Sequence, residues 1–258
     1  MELFEALVLG IVQGLTEFFP ISSSTHLAIV KNLFGLKQEE TTICFDLSCH
    51  LGTLAAAAFA FRKDIAEIFT TRKEKFVQLF LALLPLIPAY FLLKPLRQSI
   101  HGFPGLSITL AITASLLFLG DKLRLKEIAS IQWSRRLRDA LFIGSMQAAA
   151  LIPGISRSAS TISCARFLGW NSSEAVRFSF LLAIPTVFGG TCLEMLHLLH
   201  RSSSLPISLP CCLIGFGASA LGALAVIGTA IRILEKGRLR PFAWYCIALA
   251  CVLPLLLR

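Results

Sequence analysis

Charge is scarce in this chain. Asp, Glu, Lys and Arg make up only 15% of its 258 residues, where a soluble domain carries roughly a quarter. With 55% hydrophobic residues and a mean hydropathy of +0.75, an ordinary water-soluble fold is excluded, and the chain reads as an integral membrane protein. The first ten residues hold Glu2 and Glu5 but no Lys or Arg. They lack the basic region of a secretory leader, so this end is expected to belong to the mature protein and insertion to use internal spans. Metal-type cysteine spacing is missing too. The eight cysteines (Cys44, Cys49, Cys164, Cys192, Cys211, Cys212, Cys246 and Cys251) contain no C-x-x-C pair. Most lie in apolar runs, where cysteine behaves as a small hydrophobe, which argues against a disulfide framework or a zinc site.

The charge that is present is unbalanced, at a formal +9. The basic residues cluster between apolar runs, as loops facing an anionic leaflet do, so no nucleic-acid partner is expected. Six runs have the length of a membrane crossing, at about 43–61, 76–93, 106–120, 175–199, 207–234 and 242–257. A helix needs roughly 20 apolar residues to cross the hydrocarbon. Two further elements are broken: 3–19 and 27–36 flank Pro20, and 140–152 and 162–170 flank Pro153-Gly154. Shorter pieces joined by a polar break suggest re-entrant hairpins.

Three connections carry the basic residues: 62–75, 121–139 and 232–241. They fall on one side, assigned to the cytoplasm, and both termini then face outward. The opposite side has Lys94, Arg97 and Arg201. Each half is one hairpin plus an odd number of spans, so the halves insert in opposite senses. Gly10-x-x-Gln13 before Pro20 and Ser22 is echoed by Gly144-x-x-Gln147 before Pro153 and Ser156. The expectation is one all-α polytopic membrane domain over 1–258. It has six transmembrane helices and two re-entrant helical hairpins in an inverted-topology repeat, with halves of approximately 1–120 and 139–258. The hairpin tips are expected to meet near the midplane.

Chemistry concentrates at the two breaks. Gln13 and Glu17, four apart, share one helix face and can hold a divalent cation or, alternatively, serve as interhelical hydrogen-bonding glue. After Pro20 come Ser22, Ser23, Ser24, Thr25 and His26, at a helix start whose free N–H groups favour an anion. A single serine would suffice as an N-cap. Ser23 and His26, three apart, can face one point as nucleophile and acid or base. In Gly154-Ile-Ser-Arg-Ser-Ala-Ser-Thr161, Ser156 is placed to cap a helix and Arg157 shares a face with Thr161. An ionisable group at bilayer depth marks a functional site by default, and the guanidinium fork matches phosphate oxygens. Snorkelling, or a structural bridge to Glu17, is the plainer alternative for Arg157. Gln147 is open between lining the site and helix packing. His50, His101, His197 and His200 stand isolated, and Asp46 is expected to cap its span.

The two elements Gln13-Gly-Leu-Thr-Glu17-Phe-Phe-Pro-Ile-Ser-Ser-Ser-Thr-His26 and Pro153-Gly-Ile-Ser-Arg-Ser-Ala-Ser-Thr161 resemble those of the undecaprenyl-diphosphatase family of bacteria, known for bacitracin resistance. Phe45-Asp-Leu-Ser-Cys-His-Leu-Gly-Thr53, Phe178-Ser-Phe-Leu-Leu-Ala-Ile-Pro185 and Arg240-Pro-Phe-Ala-Trp-Tyr245 extend the likeness over nearly the whole chain. The resemblance implies a hydrolase of the cytoplasmic (inner) membrane with an outward-facing site. It would cut the terminal phosphate from undecaprenyl diphosphate and regenerate the lipid carrier for cell-wall synthesis. By motif, it implies catalytic roles for Glu17, Ser23, His26 and Arg157, and phosphate binding by Ser22, Ser156, Arg157, Ser158 and Thr161. Glu17 and Gln13 would hold a divalent cation, magnesium or calcium.

Two departures from the family pattern stand out. Ser24-Thr25 replaces Thr-Gly before the histidine, removing a glycine that tolerates positive φ. Cys246 stands after Tyr245 where arginine is common. Ser23, His26 and a water activated by His26 all remain open as the attacking group. The expected partners are a polyprenyl diphosphate and the bilayer, and a homodimer is left open. A lipid-phosphate flippase with the same anion site is the rival, because inverted repeats with broken helices also build transporters.

Overall fold

Apolar runs this long leave the backbone one way to satisfy its hydrogen bonds in hydrocarbon without closing a barrel, which is to coil into helices. The computed structural model describes residues 1–36, 40–100, 102–122, 132–201 and 208–257. His101, Arg124 and Lys126 lie outside them. Among the described residues there is no strand. The helices are α1 (Leu3–Thr16), α2 (Ser23–Leu33), α3 (Glu40–Ala60), α4 (Arg62–Thr70), α5 (Lys73–Leu83), α6 (Leu86–Leu92), α7 (Lys94–Ser99), α8 (Gly102–Lys122), α9 (Trp133–Ala148), α10 (Arg157–Phe167), α11 (Ser172–Arg201), α12 (Leu209–Glu235) and α13 (Arg240–Val252).

Five stretches of the described residues are long and apolar enough to cross a membrane: Ile43–Ala60, Lys73–Leu92, Gly102–Lys122, Ser172–His200 and Leu209–Glu235. They correspond to five of the six expected runs. The sixth forms α13 and a following 3-10 turn, a shorter apolar helix over Arg240–Leu255. Only 11% to 44% of each crossing is buried inside the protein. The remainder presents side chains such as Phe91, Ile108 and Leu221 outward, a surface suited to hydrocarbon. Both broken elements are interrupted by proline and polar residues as expected. With 14 residues in α1 and 11 in α10, the two helices are roughly 21 and 16 Å long at 1.5 Å per residue, short of the ~30 Å core.

The helices pack as two compact units. The first is Met1–Phe18, Ser23–Lys63 and Ala183–Thr229. Its α1 lies so close to α12 that a Cβ on Gly14 would stand 2.5 Å from the Ser219 carbonyl oxygen and 2.8 Å from the Ala223 nitrogen. Small residues at such a crossing let backbones approach, which replaces the hydrophobic drive that lipid removes. The Ser219 hydroxyl donates to the Cys49 carbonyl at 2.9 Å, tying α12 to α3. Ala6, Leu9, Leu27, Phe45, Cys49 and Cys211 form the apolar core. Asp46 does not cap its span. It sits well inside α3, and its carboxylate accepts from the Lys31 ammonium at 2.5 Å, with only 7% of the Lys31 side chain exposed.

The second unit is Phe19–Ser22, Asp64–Leu182 and Ala230–Arg258. At its centre is α10, buried throughout Ser158 to Arg166. At the C-terminal end of α10, Arg166 donates to the Gly237 carbonyl at 2.6 Å and lies 3.8 Å from Asp121. Asp121 in turn accepts from Arg240 at 2.6 Å. Gly144 lets α9 lie directly on the backbone of α5 at Ala82. The Trp170 indole donates to Asp139 at 2.8 Å and meets Phe178 edge-on, with ring centroids 5.2 Å apart. The four-residue segment Phe19–Ser22 packs here as well. Phe19 stacks on Phe242 at 5.8 Å, and the Cys246 thiol donates to the Pro20 carbonyl at 3.8 Å. Cys246 is thus a buried packing residue.

Candidate active site

Two polar clusters stand out, one in each unit. The first is built on the 3.6-residue turn of α1, which brings Gln13 and Glu17 to one face. The Gln13 amide donates to Glu17 Oε2 at 2.9 Å, and the Ser23 hydroxyl, at the first residue of α2, donates to the same oxygen at 2.7 Å. Gln13 is fully buried, and only 8% of the Glu17 side chain is exposed. A hydroxyl aimed at a desolvated carboxylate is the arrangement that turns a weak nucleophile into a usable one.

His50 belongs to this cluster, although it stands alone in the sequence. Its Nδ1 lies 2.9 Å from the Gln13 amide nitrogen and 3.9 Å from Glu17 Oε2. The carboxylate orients the amide, since an amide oxygen facing Glu17 would repel it. The NH₂ group therefore donates one hydrogen to Glu17 and the other to the imidazole. Nδ1 is then the acceptor, and the ring proton of the neutral tautomer sits on Nε2. Gln13 Oε1 remains buried with no hydrogen-bond partner among the described residues. The available clue to His50 was its place in Phe45 to Thr53. Its partner lies 37 residues away, too far for any local spacing rule to reach. His26 is half-buried, one turn beyond Ser23 on α2.

Whether these residues fit a divalent cation follows from the donor set. Glu17 supplies one carboxylate and Gln13 one buried amide oxygen with an open lone pair. Among the described residues no group of three or more His, Cys, Asp and Glu could hold a metal. The donor set the side chains offer is small. It suits magnesium, which binds through one or two carboxylates and completes its octahedron with water and phosphate oxygens.

The second cluster surrounds the start of α10. Gly154 turns the chain with φ 90°, and Thr109 occupies the space a side chain would need. Ser156 caps the helix as expected, its hydroxyl accepting from the Ala159 N–H at 3.3 Å. Its own N–H donates to the Thr113 hydroxyl at 3.1 Å. The other hydroxyls also make bonds within the fold. Ser160 donates to the Ser156 carbonyl at 2.9 Å, and Thr161 donates to the Arg157 carbonyl at 3.0 Å and meets the Ser179 hydroxyl at 2.6 Å. Ser158 donates to the Phe19 carbonyl at 3.2 Å, so the first break is held against the start of α10. Arg157, in the first turn and half-buried, is the charged group this helix end presents. Through Ser179, Thr161 also fixes α10 on α11.

The missing glycine before His26 turns out to have no consequence for the backbone. Ser24 and Thr25 lie in the first turn of α2, with right-handed backbone, and Thr25 is fully buried. The positive φ falls at Ser22 instead, at 65°. A non-glycine residue there costs about 1 to 2 kcal/mol, and the segment Phe19–Ser22 sustains it through its packing on Phe242 and Cys246. Gln147 is buried in α9.

Comparison with known proteins bears on what these clusters do. A family model described as bacitracin resistance protein BacA matches residues 6–252. The chain is 39% identical over 249 residues to an undecaprenyl-diphosphatase of Protochlamydia amoebophila, covering 96% of this chain and 95% of that one. It is 36% identical to the undecaprenyl-diphosphatase of Desulfosudis oleivorans, over 98% of this chain and 97% of that one. With that of Thermodesulfovibrio yellowstonii it shares 35% identity, over 99% and 97% of the two chains.

Proposed function

Because the chain belongs to the bacitracin resistance protein BacA family, we propose that it hydrolyses undecaprenyl diphosphate to undecaprenyl phosphate and inorganic phosphate. The observation that carries the chemistry is the 2.7 Å hydrogen bond from the Ser23 hydroxyl to Glu17. Ser23 Oγ attacks the terminal phosphorus as its proton passes to Glu17, and the anhydride bond to the lipid monophosphate breaks. His26 gives a proton to the departing lipid phosphate. His26 then takes a proton from the water that attacks phosphoserine, and Glu17 returns its proton to Ser23, so both carriers are reset.

Phosphoryl transfer gains chiefly from positioning and charge stabilisation. Arg157 supplies a permanent planar cation to the diphosphate, assisted by the dipole at the start of α10 and by the hydroxyls of Ser22, Ser156, Ser158 and Thr161. Gln13 and His50 hold the Glu17 carboxylate in place. A magnesium ion held by Glu17 and Gln13 Oε1 would neutralise charge on the phosphates. Five crossings, two broken elements and basic connections on one side support a finer topology. It has six transmembrane helices and two re-entrant hairpins in an inverted repeat in the bacterial cytoplasmic membrane, with both termini and the site facing outward. The product is the lipid carrier of cell-wall synthesis in reusable form, and its supply underlies bacitracin resistance.

The test is phosphate release from undecaprenyl diphosphate by the purified protein, with a soluble diphosphate as control. Arg157→Lys keeps the charge but loses the fork, and turnover is expected to fall at least tenfold in a protein that still inserts and folds, a loss equal to about 1.4 kcal/mol. No release from any lipid diphosphate would overturn the reading.

A further inference from the structure

Within the second unit, well away from Arg157, lies a cavity of about 710 Å³ between α5, α9 and α11. Its inner wall is apolar, formed by Leu79, Trp170, Phe178 and Leu181, and its polar part includes Arg72, Lys75, Arg136 and Arg177. Trp170 follows the C-terminal end of α10, whereas Arg157 begins that helix. The two are therefore separated by roughly the 16 Å length of α10. Arg72, Lys75 and Arg136 belong to the connections 62–75 and 121–139, so the cavity opens on the basic side of the chain.

Four cations line this cavity against two carboxylates, Glu74 and Glu174, and the pairing is uneven. Arg136 is matched with Glu174 at 3.2 Å and lies over the Trp170 ring at 5.3 Å. Arg72 pairs with Glu67 at 3.0 Å. Lys75 and Arg177 have no carboxylate within ion-pair distance among the described residues. Gln78, 5% exposed, adds a polar group in the wall. A basic rim over an apolar floor answers to an amphiphile with an anionic head. Basic pockets between transmembrane helices on the cytoplasmic side are where lipid phosphates bind, and arginine matches phosphate with two parallel N–H donors.

We infer that this cavity is a second phosphate-binding site, on the basic side of the protein, which takes the phosphate headgroup of an anionic lipid with part of its chain on the Phe178 and Leu181 floor. It is separate from the hydrolytic site and needs no turnover. The experiment measures binding of short-chain phosphatidylglycerol, and separately of inorganic phosphate, to the purified full-length protein in neutral detergent. The wild type and Lys75→Gln/Arg177→Gln are compared, with Lys63→Gln as a control for an exposed basic residue outside the cavity. Saturable phosphatidylglycerol binding is expected, weakened roughly thirtyfold in the double variant and unchanged in Lys63→Gln. A thirtyfold loss is about 2 kcal/mol at 1.4 kcal/mol per decade. Inorganic phosphate competing at millimolar concentration supports the same pocket with a soluble occupant as well, and failure to compete supports the lipid alone. Arg177→Gln by itself, at an exposed position of α11, serves if the double variant does not fold. Absent binding, or equal weakening in Lys63→Gln, would overturn the assignment.

Discussion

If Glu17 acts by taking the Ser23 proton, removing either residue removes the same event. Glu17→Gln keeps the shape and an amide oxygen that can still accept from Ser23 at the 2.7 Å position, so the fold is little changed while the base is lost. General-base assistance is worth about 10²- to 10⁴-fold, and each of Glu17→Gln and Ser23→Ala is expected to lower kcat into that range. Independent contributions would multiply to about 10⁴- to 10⁸-fold in the double variant. Residues that work as one unit are grossly non-additive, so Glu17→Gln/Ser23→Ala is expected to lose no more than tenfold beyond the worse single variant. The assay is initial-rate phosphate release from undecaprenyl diphosphate in detergent, with thermal melting to show that all four proteins are folded. A double variant that loses the full product of the two factors refutes the coupling, and with it Ser23 as the nucleophile activated by Glu17.

Other expectations follow from the packing. His50→Ala removes the acceptor from Gln13 and is expected to lower kcat about tenfold with KM changed less than threefold; a loss confined to KM would move His50 to substrate binding. Gly14→Ala forces a methyl into the Ser219 and Ala223 backbone and is expected to cost about 1 to 3 kcal/mol of stability. Gly217→Ala, where a Cβ meets nothing within 4 Å, is expected to leave the melting temperature unchanged or raised. Asp46→Asn leaves the buried Lys31 uncompensated and is expected to cost about 3 to 5 kcal/mol, whereas Lys31→Met/Asp46→Leu recovers most of it. A melt of Asp46→Asn within 2 °C of wild type would mean that the pair carries no such weight.

What the sequence made legible was what depends on local periodicity. Apolar runs predicted six crossings, five of which match long apolar helices to within a few residues, and the polar breaks at Pro20 and Pro153-Gly154 interrupt helices as expected, whereas Pro185 is accommodated inside α11. The pairing of Gln13 with Glu17 and the capping by Ser156 were readable for the same reason, since each spans one turn. Contacts between distant segments were not readable. Asp46 looked like a cap because it lies near the start of an apolar run, but α3 begins earlier and Lys31 reaches it from α2. His50 looked isolated because only folding brings α3 against α1. The contact of the Thr161 hydroxyl with Ser179 was hidden for the same reason, since Ser179 arrives from α11. The positive φ at Ser22, just before α2, carried no mark in the sequence, since serine rarely adopts it.

The anchoring of α10 at both ends has a kinetic consequence. Ser156 and Thr113 fix its first turn, and Arg166 ties its last turn to Gly237 and Asp121. A phosphate arriving at the first turn meets donors already in their bound arrangement, with no loop to order. Its affinity is then undiminished by any fraction of molecules waiting in an incompetent shape. Capture of a lipid substrate becomes a matter of two-dimensional encounter, governed by lateral diffusion and the fluidity of the bilayer.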